Sequence, residues 1–418
     1  MNAHPRHDAF AALRHRPFLF LITGNLLLST ALLIQTVVIG YELYQLTHDP
    51  LALGLVGLAE AVPFIGLALF GGHMADRREK RRLMQQAGAV VLVSSLVLLW
   101  AMLPSTQATL PRHALLATIY SSIFILGLAR GIYSPTSAAL RAFLVPREIY
   151  ANSASWSGTF FQAGAIAGPA LAGFLYLLLG MSGTLVVTVA MVIANIVLIG
   201  FIPPQPVAPL RPGGGDLWAS LREGLVYVWR TKILLYAISL DMFSVLFGGV
   251  VAILPIFAED ILKVGPQGLG LLRAAPAAGA LVTVIACNWF PPTRRPWSTL
   301  LIVVAGFGAA TLVFALSTTF WLSIAALFAT GAFDSVSVVI RSTLLQSLPA
   351  EDMRGRVASV NSIFISASNE LGAFESGLAA RLLGTVPSVV AGGIATLMTV
   401  GYVASRSKVL GLFKVRIA

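Results

Sequence analysis

Long apolar runs, separated by charged residues, Pro and Gly, follow one another along the whole chain. Each run has at least roughly the 20 residues that an α-helix needs to cross the hydrocarbon core of a bilayer. The chain is therefore predicted to be an all-α membrane protein. Its twelve transmembrane helices are predicted at 18–45, 51–75, 83–103, 114–139, 151–179, 184–202, 233–258, 268–290, 299–317, 321–345, 357–383 and 386–404.

A segment rich in Pro and Gly separates the first six predicted helices from the last six. Its composition is typical of a flexible linker. Within it, Trp218, Leu221, Leu225 and Trp229 have helical spacing and predict a helix along the membrane surface. The expected division is an N-terminal segment at 1–17, six-helix bundles at 18–202 and 233–404, a linker at 203–232 and a tail at 405–418.

The two halves of the chain repeat several features in the same order. Pro146-Arg147-Glu148 precedes the fifth predicted span and Pro349-Ala350-Glu351 the eleventh, while Gly168 and Gly173 match Gly372 and Gly377. Such matches indicate a parallel repeat of six-helix units, as in transporters with two pseudo-symmetric halves.

Composition excludes an ordinary water-soluble fold. Hydrophobic residues make up 57% of the chain and charged residues 11%, against about 25% charged residues in soluble domains. A single cysteine, Cys287, excludes an internal disulfide and a cysteine-based metal cluster. The net charge of +11 would suggest nucleic acid in a soluble protein, but in a membrane protein the placement of basic residues matters more.

Basic residues gather in the segments that the twelve-span layout places in the cytoplasm. All but five of the 28 Lys and Arg residues lie there, and Arg341 is counted among them. The exceptions are Arg112, Lys263 and Arg381 near the outer side and Arg130 and Arg273 inside helices. Because positive charge is retained in the cytoplasm, we expect both termini on that side.

The loop between the second and third spans contains Gly72, Asp76 and Arg77 in the run Gly-Gly-His-Met-Ala-Asp-Arg-Arg-Glu-Lys-Arg-Arg. This run resembles the signature Gly-x-x-x-Asp-Arg-x-Gly-Arg-Arg/Lys of the major facilitator superfamily, with Glu79 where the family usually has Gly. The resemblance implies that Asp76 pairs with arginine to hold the cytoplasmic side shut, and Arg141 and Arg356 are the expected partners. The alternative is a basic cytoplasmic loop without a gating role.

Small residues line the fifth span at Gly164, Gly168 and Gly173, and Pro169 follows the second of them. The run resembles the Gly-x-x-x-Gly-Pro-x-x-Gly-Gly motif of the exporter and antiporter branch, with Ala172 replacing one glycine. Small residues allow close helix packing and proline allows bending. Generic small-residue packing is the alternative.

Three further runs, 44–55, 75–80 and 355–362, resemble the branch that contains the bacterial enterobactin exporter and the macrolide efflux proteins. The resemblance covers the whole chain. It implies proton-driven export of a small molecule, such as a siderophore, a drug or an amphipathic metabolite, across a bacterial inner membrane. It also implies alternating access and a path lined by spans 1, 4, 7 and 10.

Ionisable residues inside predicted spans are costly in a membrane and mark functional positions. Near mid-membrane, Glu60, Asp334 and Glu370 are candidate protonation sites because a desolvated carboxyl binds a proton more readily. Arg130 is their candidate counter-charge or an anchor for an anionic substrate. Asp241 and Glu375 complete the set, and fixed salt bridges between these residues are the alternative. Glu42 and Arg273 lie towards the predicted outer face.

Polar and aromatic residues on the same spans are candidates for lining the substrate cavity, and packing or lipid contact is the alternative for each. They are Asn25, Gln35, Tyr41, Tyr120, Tyr133, Phe243, Phe247, Asn361 and Asn369.

Other functional classes lack their motifs. The chain has no Gly-x-x-x-x-Gly-Lys-Ser/Thr loop for an ATP-driven pump and no His-Glu-x-x-His or Gly-x-Ser-x-Gly pattern for a membrane enzyme. We expect no enzymatic activity, cofactor, metal or nucleic-acid partner. The expected partners are a small-molecule substrate, protons and membrane lipid, and the expected state is a monomer. An uptake symporter and a lipid flippase remain open on the same fold.

Overall fold

The computed structural model describes residues 8–206, 217–290, 292 and 295–407, and every regular element in these ranges is helical. The helices are α1 (Arg16–Thr47), α2 (Pro50–Arg77), α3 (Lys80–Ala101), α4 (Pro104–Thr109), α5 (Arg112–Leu144), α6 (Tyr150–Gly200), α7 (Leu217–Arg230), α8 (Lys232–Gly248), α9 (Leu254–Ile256), α10 (Gly265–Trp289), α11 (Pro296–Leu316), α12 (Phe320–Ser347), α13 (Glu351–Leu383) and α14 (Thr385–Arg406). The all-α membrane fold is confirmed.

Ten stretches in the described part of the chain are long and apolar enough to cross a membrane. One of them, Arg147–Gly200, contains two predicted spans, which meet where Gly180 leaves helical geometry at φ 67°. Glycine tolerates this conformation because it has no Cβ. Helix α13 is long enough to span a membrane but is absent from the ten apolar stretches. The count of twelve spans therefore stays a prediction.

Packing divides the chain into two compact units. Unit 1 contains Met1–Thr36 and Val62–Leu210, and unit 2 contains Val37–Ala61 and Arg211–Ala418. The boundaries cut through α1 and α2, so the later part of α1 and the first part of α2 pack with helices from the second half of the chain. The expected division at residues 203–232 stays a prediction.

Close helix packing in unit 1 depends on small residues, as the sequence indicates for the fifth span. A Cβ added to Gly164 would come within 2.8 Å of Ser29 Oγ, and one on Gly168 within 2.8 Å of Leu33 Cβ. Both glycines lie on α6 and both neighbours on α1. A larger side chain would force these helices apart.

In unit 2, helices α10 and α12 approach each other very closely. A Cβ on Gly279 would lie 2.0 Å from the Phe328 carbonyl oxygen, and one on Gly331 would lie 1.9 Å from that of Pro276. Helix α14 approaches α8 equally closely, since a Cβ on Gly392 would meet the Phe247 carbonyl at 1.9 Å. These contacts fix the helices that carry the charged residues described below.

The predicted span 233–258 is not one continuous helix. Helix α8 ends at Gly248, and Gly249 has non-helical angles of φ −72° and ψ 59°. A 3-10 turn follows at Val250–Ile253, then the short α9 and a π-helical turn at Phe257–Ile261. The Gly248-Gly249 pair supplies the flexibility for this break, and Pro255 lies in the short helix that follows.

The linker contains the expected helix, α7. It packs against the beginning of α13, where a Cβ on Gly224 would lie 2.9 Å from the Arg356 carbonyl oxygen. The Arg356 guanidinium also pairs with Glu223. Arg356, an expected gating partner of Asp76, is therefore bound to the linker helix in this structure.

Candidate functional site

Two carboxylates and one arginine form a charged cluster in unit 2. Arg341 of α12 pairs with Asp241 of α8, and its Nη2 lies 3.8 Å from Asp334 Oδ1. Its Nε also donates a hydrogen bond to Ser337 Oγ at 3.2 Å. Asp334, Ser337 and Arg341 are spaced by three and four residues, so they share one face of α12.

Arg341 corrects the sequence analysis, which counted it with the cytoplasmic basic residues. It lies inside α12, and only 3% of its surface is exposed. The predicted span 321–345 already contained Arg341, and the count nevertheless assigned it to the cytoplasmic side because it lies near the cytoplasmic end of that span. Burial of this cation is possible because Asp241 neutralises it, since a buried charge is retained when it is paired and hydrogen-bonded.

The two acids of the cluster differ in exposure. The side chain of Asp241 is 8% exposed, whereas that of Asp334 is 44% exposed. Asp241 is therefore held in a closed ion pair, and Asp334 has open space beside a longer contact to the same arginine. Proton exchange requires access to water, so Asp334 is the better candidate of the two.

A second group of carboxylates depends on close packing of α2 against α13 in unit 2. A Cβ on Gly54 would lie 2.9 Å from the Phe374 carbonyl oxygen, and one on Gly57 would lie 2.6 Å from Ala373 Cβ. The contact moves to lower numbers on α13 as it moves to higher numbers on α2. The two helices are therefore antiparallel along this seam.

Glu370 lies on this seam, because its carbonyl oxygen would be 3.1 Å from a Cβ on Gly57. Glu60 follows Gly57 by one helical turn on α2, so the same packing brings it towards the part of α13 that contains Glu370. Both side chains are half-buried. The sequence analysis selected each residue separately, but their proximity follows only from the packing of two helices about 310 residues apart.

In unit 1, Arg130 of α5 lies over an aromatic ring. Its guanidinium carbon is 5.5 Å from the centroid of Phe64 on α2. A cation above an aromatic face is stabilised by the ring quadrupole. This contact holds one side of the guanidinium in a defined position.

Several predicted cavity residues of unit 1 bind one another. Tyr133 donates a hydrogen bond to Asn25 Oδ1 at 2.9 Å and accepts one from Asn195 Nδ2 at 2.9 Å. Asn25 in turn donates to Ser137. This network joins α1, α5 and α6, and Asn195 could have been suspected from sequence only as a polar residue in an apolar span.

Gln35 makes a similar contact between helices. It is almost completely buried and donates a hydrogen bond to Thr188 Oγ1 at 3.0 Å. Its Oε1 atom is also buried and has no hydrogen-bond partner among the described residues. The predicted role of Asn25, Gln35 and Tyr133 in a cavity stays a prediction.

Tyr41 and Tyr44 of α1 bind the π-helical turn of unit 2. Tyr41 donates a hydrogen bond to Glu259 at 2.7 Å, and Tyr44 donates one to Asp260. Asp49, which directly precedes α2, forms an ion pair with Arg381 of α13 at 3.4 Å. The sequence analysis missed Glu259 and Asp260, although two adjacent acids at the end of an apolar run were a visible signal.

The remaining predicted residues of unit 2 lie on two helices, α8 and α13. Phe243 and Phe247 stack on α8, with ring centroids 6.1 Å apart. On α13, Asn361 is half-buried, and its buried Oδ1 atom has no hydrogen-bond partner among the described residues. Asn369 of the same helix is exposed and donates a hydrogen bond to the Ile365 carbonyl. Glu375 is half-buried on the same helix.

The predicted gating residues are only partly described. Gly72, Asp76 and Arg77 belong to α2, but their side chains lie outside the described residues. Arg141 lies in the last turn of α5, and Tyr120 is half-buried on the same helix. Of the small residues on α6, Gly164, Gly168, Pro169 and Gly173 are all buried.

Comparison with known proteins identifies the family of the chain. The sequence profile of the Major Facilitator Superfamily matches residues 10–373. The enterobactin exporter EntS of Shigella flexneri is 24% identical over 399 residues, covering 94% of this chain and 90% of the relative. The EntS protein of Citrobacter koseri is 26% identical over 358 residues, covering 84% and 80%.

A solved structure confirms the fold. The inward-facing crystal structure of a bacterial homologue of the iron transporter ferroportin superposes with a TM-score of 0.71. The match covers 96% of this chain and 99% of that chain at 15% sequence identity. Identity at this level supports the architecture and not a shared substrate.

Proposed function

The chain belongs to the Major Facilitator Superfamily and is an integral membrane transporter of a small molecule, and we propose that it is a proton-coupled exporter. In this proposal two six-helix bundles alternate access across a bacterial inner membrane, with both termini in the cytoplasm. The names of the relatives support export, and the Gly-Pro run of α6 supports the antiporter branch. Siderophores, drugs and amphipathic metabolites are the proposed substrate class.

The observation that carries proton coupling is the close packing of α2 against α13, the two helices that carry Glu60 and Glu370. Two carboxylates on adjoining helices inside a membrane repel each other when both are ionised. Binding one proton relieves this repulsion and lowers the charge that must be desolvated. A change in the helix packing that separates or exposes the two acids would release that proton.

Asp334 is the proposed second protonation site. When it is ionised, Arg341 is shared between Asp334 and Asp241, and when it is protonated the guanidinium binds Asp241 alone. The cluster can therefore change its net charge without leaving Arg341 unpaired. Arg130 is the proposed counter-charge in unit 1.

The cytoplasmic gate is proposed to involve Asp76 and Arg77, with Gly72 allowing close approach. Arg141 and Arg356 are the proposed partners of Asp76. Because Arg356 pairs with Glu223 of α7 in this structure, closing such a gate requires Arg356 to exchange one acidic partner for another.

Substrate-dependent proton movement tests this function. The full-length protein is reconstituted in liposomes containing a pH-sensitive dye, and enterobactin, erythromycin and lysophosphatidylcholine are each added under an imposed pH gradient. We expect enterobactin or erythromycin to drive proton movement in wild type. Glu60→Gln, Glu370→Gln and Asp334→Asn should each reduce it at least about tenfold, which corresponds to about 1.4 kcal/mol.

Glu148→Gln is the matched control, because Glu148 is an exposed acid outside the helices that carry these sites. It should leave proton movement unchanged. Proton coupling is rejected if none of the three compounds moves protons, or if all three carboxylate variants transport as wild type does. Proton movement that occurs only with lysophosphatidylcholine would favour a lipid flippase.

A further inference from the structure

The break after α8 exposes backbone carbonyl groups that side chains of two other helices bind. Ser376 of α13 donates a hydrogen bond to the Gly249 carbonyl at 2.9 Å. From α10, Arg273 Nη2 donates one to the Val251 carbonyl at 3.2 Å. Non-helical backbone within a membrane is tolerated only where such partners or a water-filled cavity satisfy it.

Arg273 has more hydrogen-bonding capacity than this contact uses. A guanidinium carries five N–H donors, and the described residues provide Arg273 with one carbonyl acceptor. Its Nε is buried and has no hydrogen-bond partner among them. Arg341 of the same unit, by contrast, binds Ser337 and two carboxylates.

Within the described part of the chain, no carboxylate forms an ion pair with Arg273 either. It lies eight residues into α10, about 12 Å along the helix axis from Gly265. An unpaired cation at this depth is retained where it serves a ligand or an aqueous path, because its cost in lipid is high.

The surroundings of the break suit an amphipathic molecule. Val251, whose carbonyl accepts the hydrogen bond from Arg273, is 45% exposed, so the break lies at the surface of unit 2. The stacked and half-buried rings of Phe243 and Phe247 lie on α8 within two turns before Gly249. Apolar surface close to one uncompensated cation is the usual composition of a site for an organic anion.

We propose that Arg273, held beside the broken segment Gly249–Ile253 by its contact with the Val251 carbonyl, binds the carboxylate group of an amphipathic substrate. Two N–H groups of the guanidinium accommodate a carboxylate in bidentate geometry. This inference rests on the proposed transport function and specifies the chemical class of its substrate. It requires no contact between the two units.

Paired ligands that differ only in charge test the site. Binding of 2-naphthoate and of its neutral amide, 2-naphthamide, is measured by equilibrium dialysis with the purified full-length protein in detergent. We expect wild type to bind the carboxylate at least about tenfold more tightly, since hydrogen bonds to charged groups are the stronger ones. Arg273→Gln should bind both ligands equally.

Arg381→Gln is the control, because Arg381 is a half-exposed arginine that already pairs with Asp49. It should keep the preference for the carboxylate. Wild type without any preference, or Arg273→Gln with an unchanged preference, would overturn the proposal.

A second measurement needs no variant and guards against misfolding of Arg273→Gln. Wild-type protein is treated with phenylglyoxal, which modifies arginine, and each peptide is quantified by mass spectrometry. We expect 2-naphthoate to slow modification of Arg273 at least about threefold, which corresponds to about 0.65 kcal/mol. The rate of modification of Arg381 should not change, and 2-naphthamide should protect neither arginine. An equal rate of Arg273 modification with both ligands would contradict the proposed site.

The result is separable from that of the transport assay. Carboxylate selectivity at Arg273 without proton movement would retain this site and reject proton coupling. Proton movement together with equal binding of 2-naphthoate and 2-naphthamide would retain proton coupling and reject the carboxylate site.

Discussion

Arg341 holds two acids whose environments differ. Asp241 is enclosed with it, while Asp334 is partly exposed and farther away. A buried ion pair contributes little compared with a well-packed apolar pair, but removal of one partner leaves the other charge buried without compensation. The stability of α8 against α12 therefore depends on both members of the Arg341–Asp241 pair.

Replacing only the arginine should be strongly destabilising. We expect Arg341→Met to lower the free energy of unfolding by about 3–5 kcal/mol, because Asp241 then remains buried and unpaired. Equilibrium unfolding in mixed micelles measures the change. Arg356→Gln, which removes an exposed pair with Glu223, is the control and should cost no more than about 1 kcal/mol.

The double variant Arg341→Met with Asp241→Leu separates charge from packing. Because no buried charge remains, it should recover most of the lost stability. A double variant as unstable as Arg341→Met alone would show that the arginine acts through its packing.

At the level of helices, two kinds of glycine have different effects. Gly54 and Gly57 of α2 allow α13 to approach so closely that a Cβ would overlap its atoms. Gly66 of the same helix is exposed, with no atom within 4 Å of a Cβ placed there. The first kind determines the distance between helices, while the second only reduces local helix stability.

Alanine substitution should separate these two roles. Gly57→Ala should destabilise the protein by about 1–3 kcal/mol, because its Cβ would lie 2.6 Å from Ala373 Cβ. Gly66→Ala should be neutral or stabilise by up to about 1 kcal/mol, since alanine favours helix. Thermal unfolding of the two purified variants measures both effects, and equal midpoints would contradict a tight α2–α13 seam.

At the scale of the whole molecule, residues 37–61 pack with helices of the second half of the chain. Two phenol–carboxylate hydrogen bonds and the ion pair of Asp49 with Arg381 hold this segment in unit 2. An alternating-access cycle in which this segment separates from the π-helical turn must break these contacts. They are therefore expected to set the population of the state described here.

Removing the two phenol hydroxyls should shift that population. In a Cys287→Ser background, spin labels at Thr47→Cys and Lys263→Cys report the distance between the end of α1 and the segment after the π-helical turn. Tyr41→Phe with Tyr44→Phe should increase the population of longer distances at least about tenfold, since each hydrogen bond to a charged group contributes about 1.5–3 kcal/mol.

The matched control is Tyr402→Phe, because Tyr402 is exposed on α14. Its distance distribution should equal that of wild type. An unchanged distribution in the double Tyr variant would mean that packing, and not these hydrogen bonds, holds the segment.

The sequence by itself determined the fold class and most helix positions, because a helix that crosses lipid needs apolar residues along its whole length. This requirement applies to each segment separately and can be seen without knowledge of the residues that the segment contacts. The sequence also selected Glu60, Asp334 and Glu370 as candidate protonation sites, which stay predictions, since a charge in an apolar run is visible without knowledge of its neighbours. The break near Gly180 likewise fell between two predicted spans.

Only the tertiary structure decided which residues meet. The pairing of Asp241 with Arg341, the approach of Gly57 to Glu370, and the hydrogen bonds of Tyr41 and Tyr44 join residues far apart in the chain. Hydropathy reports the preference of each segment for lipid, whereas these contacts depend on the rotation and register of one helix against another. That register is fixed by glycines that allow close approach and by charges that require partners, and both act across helices.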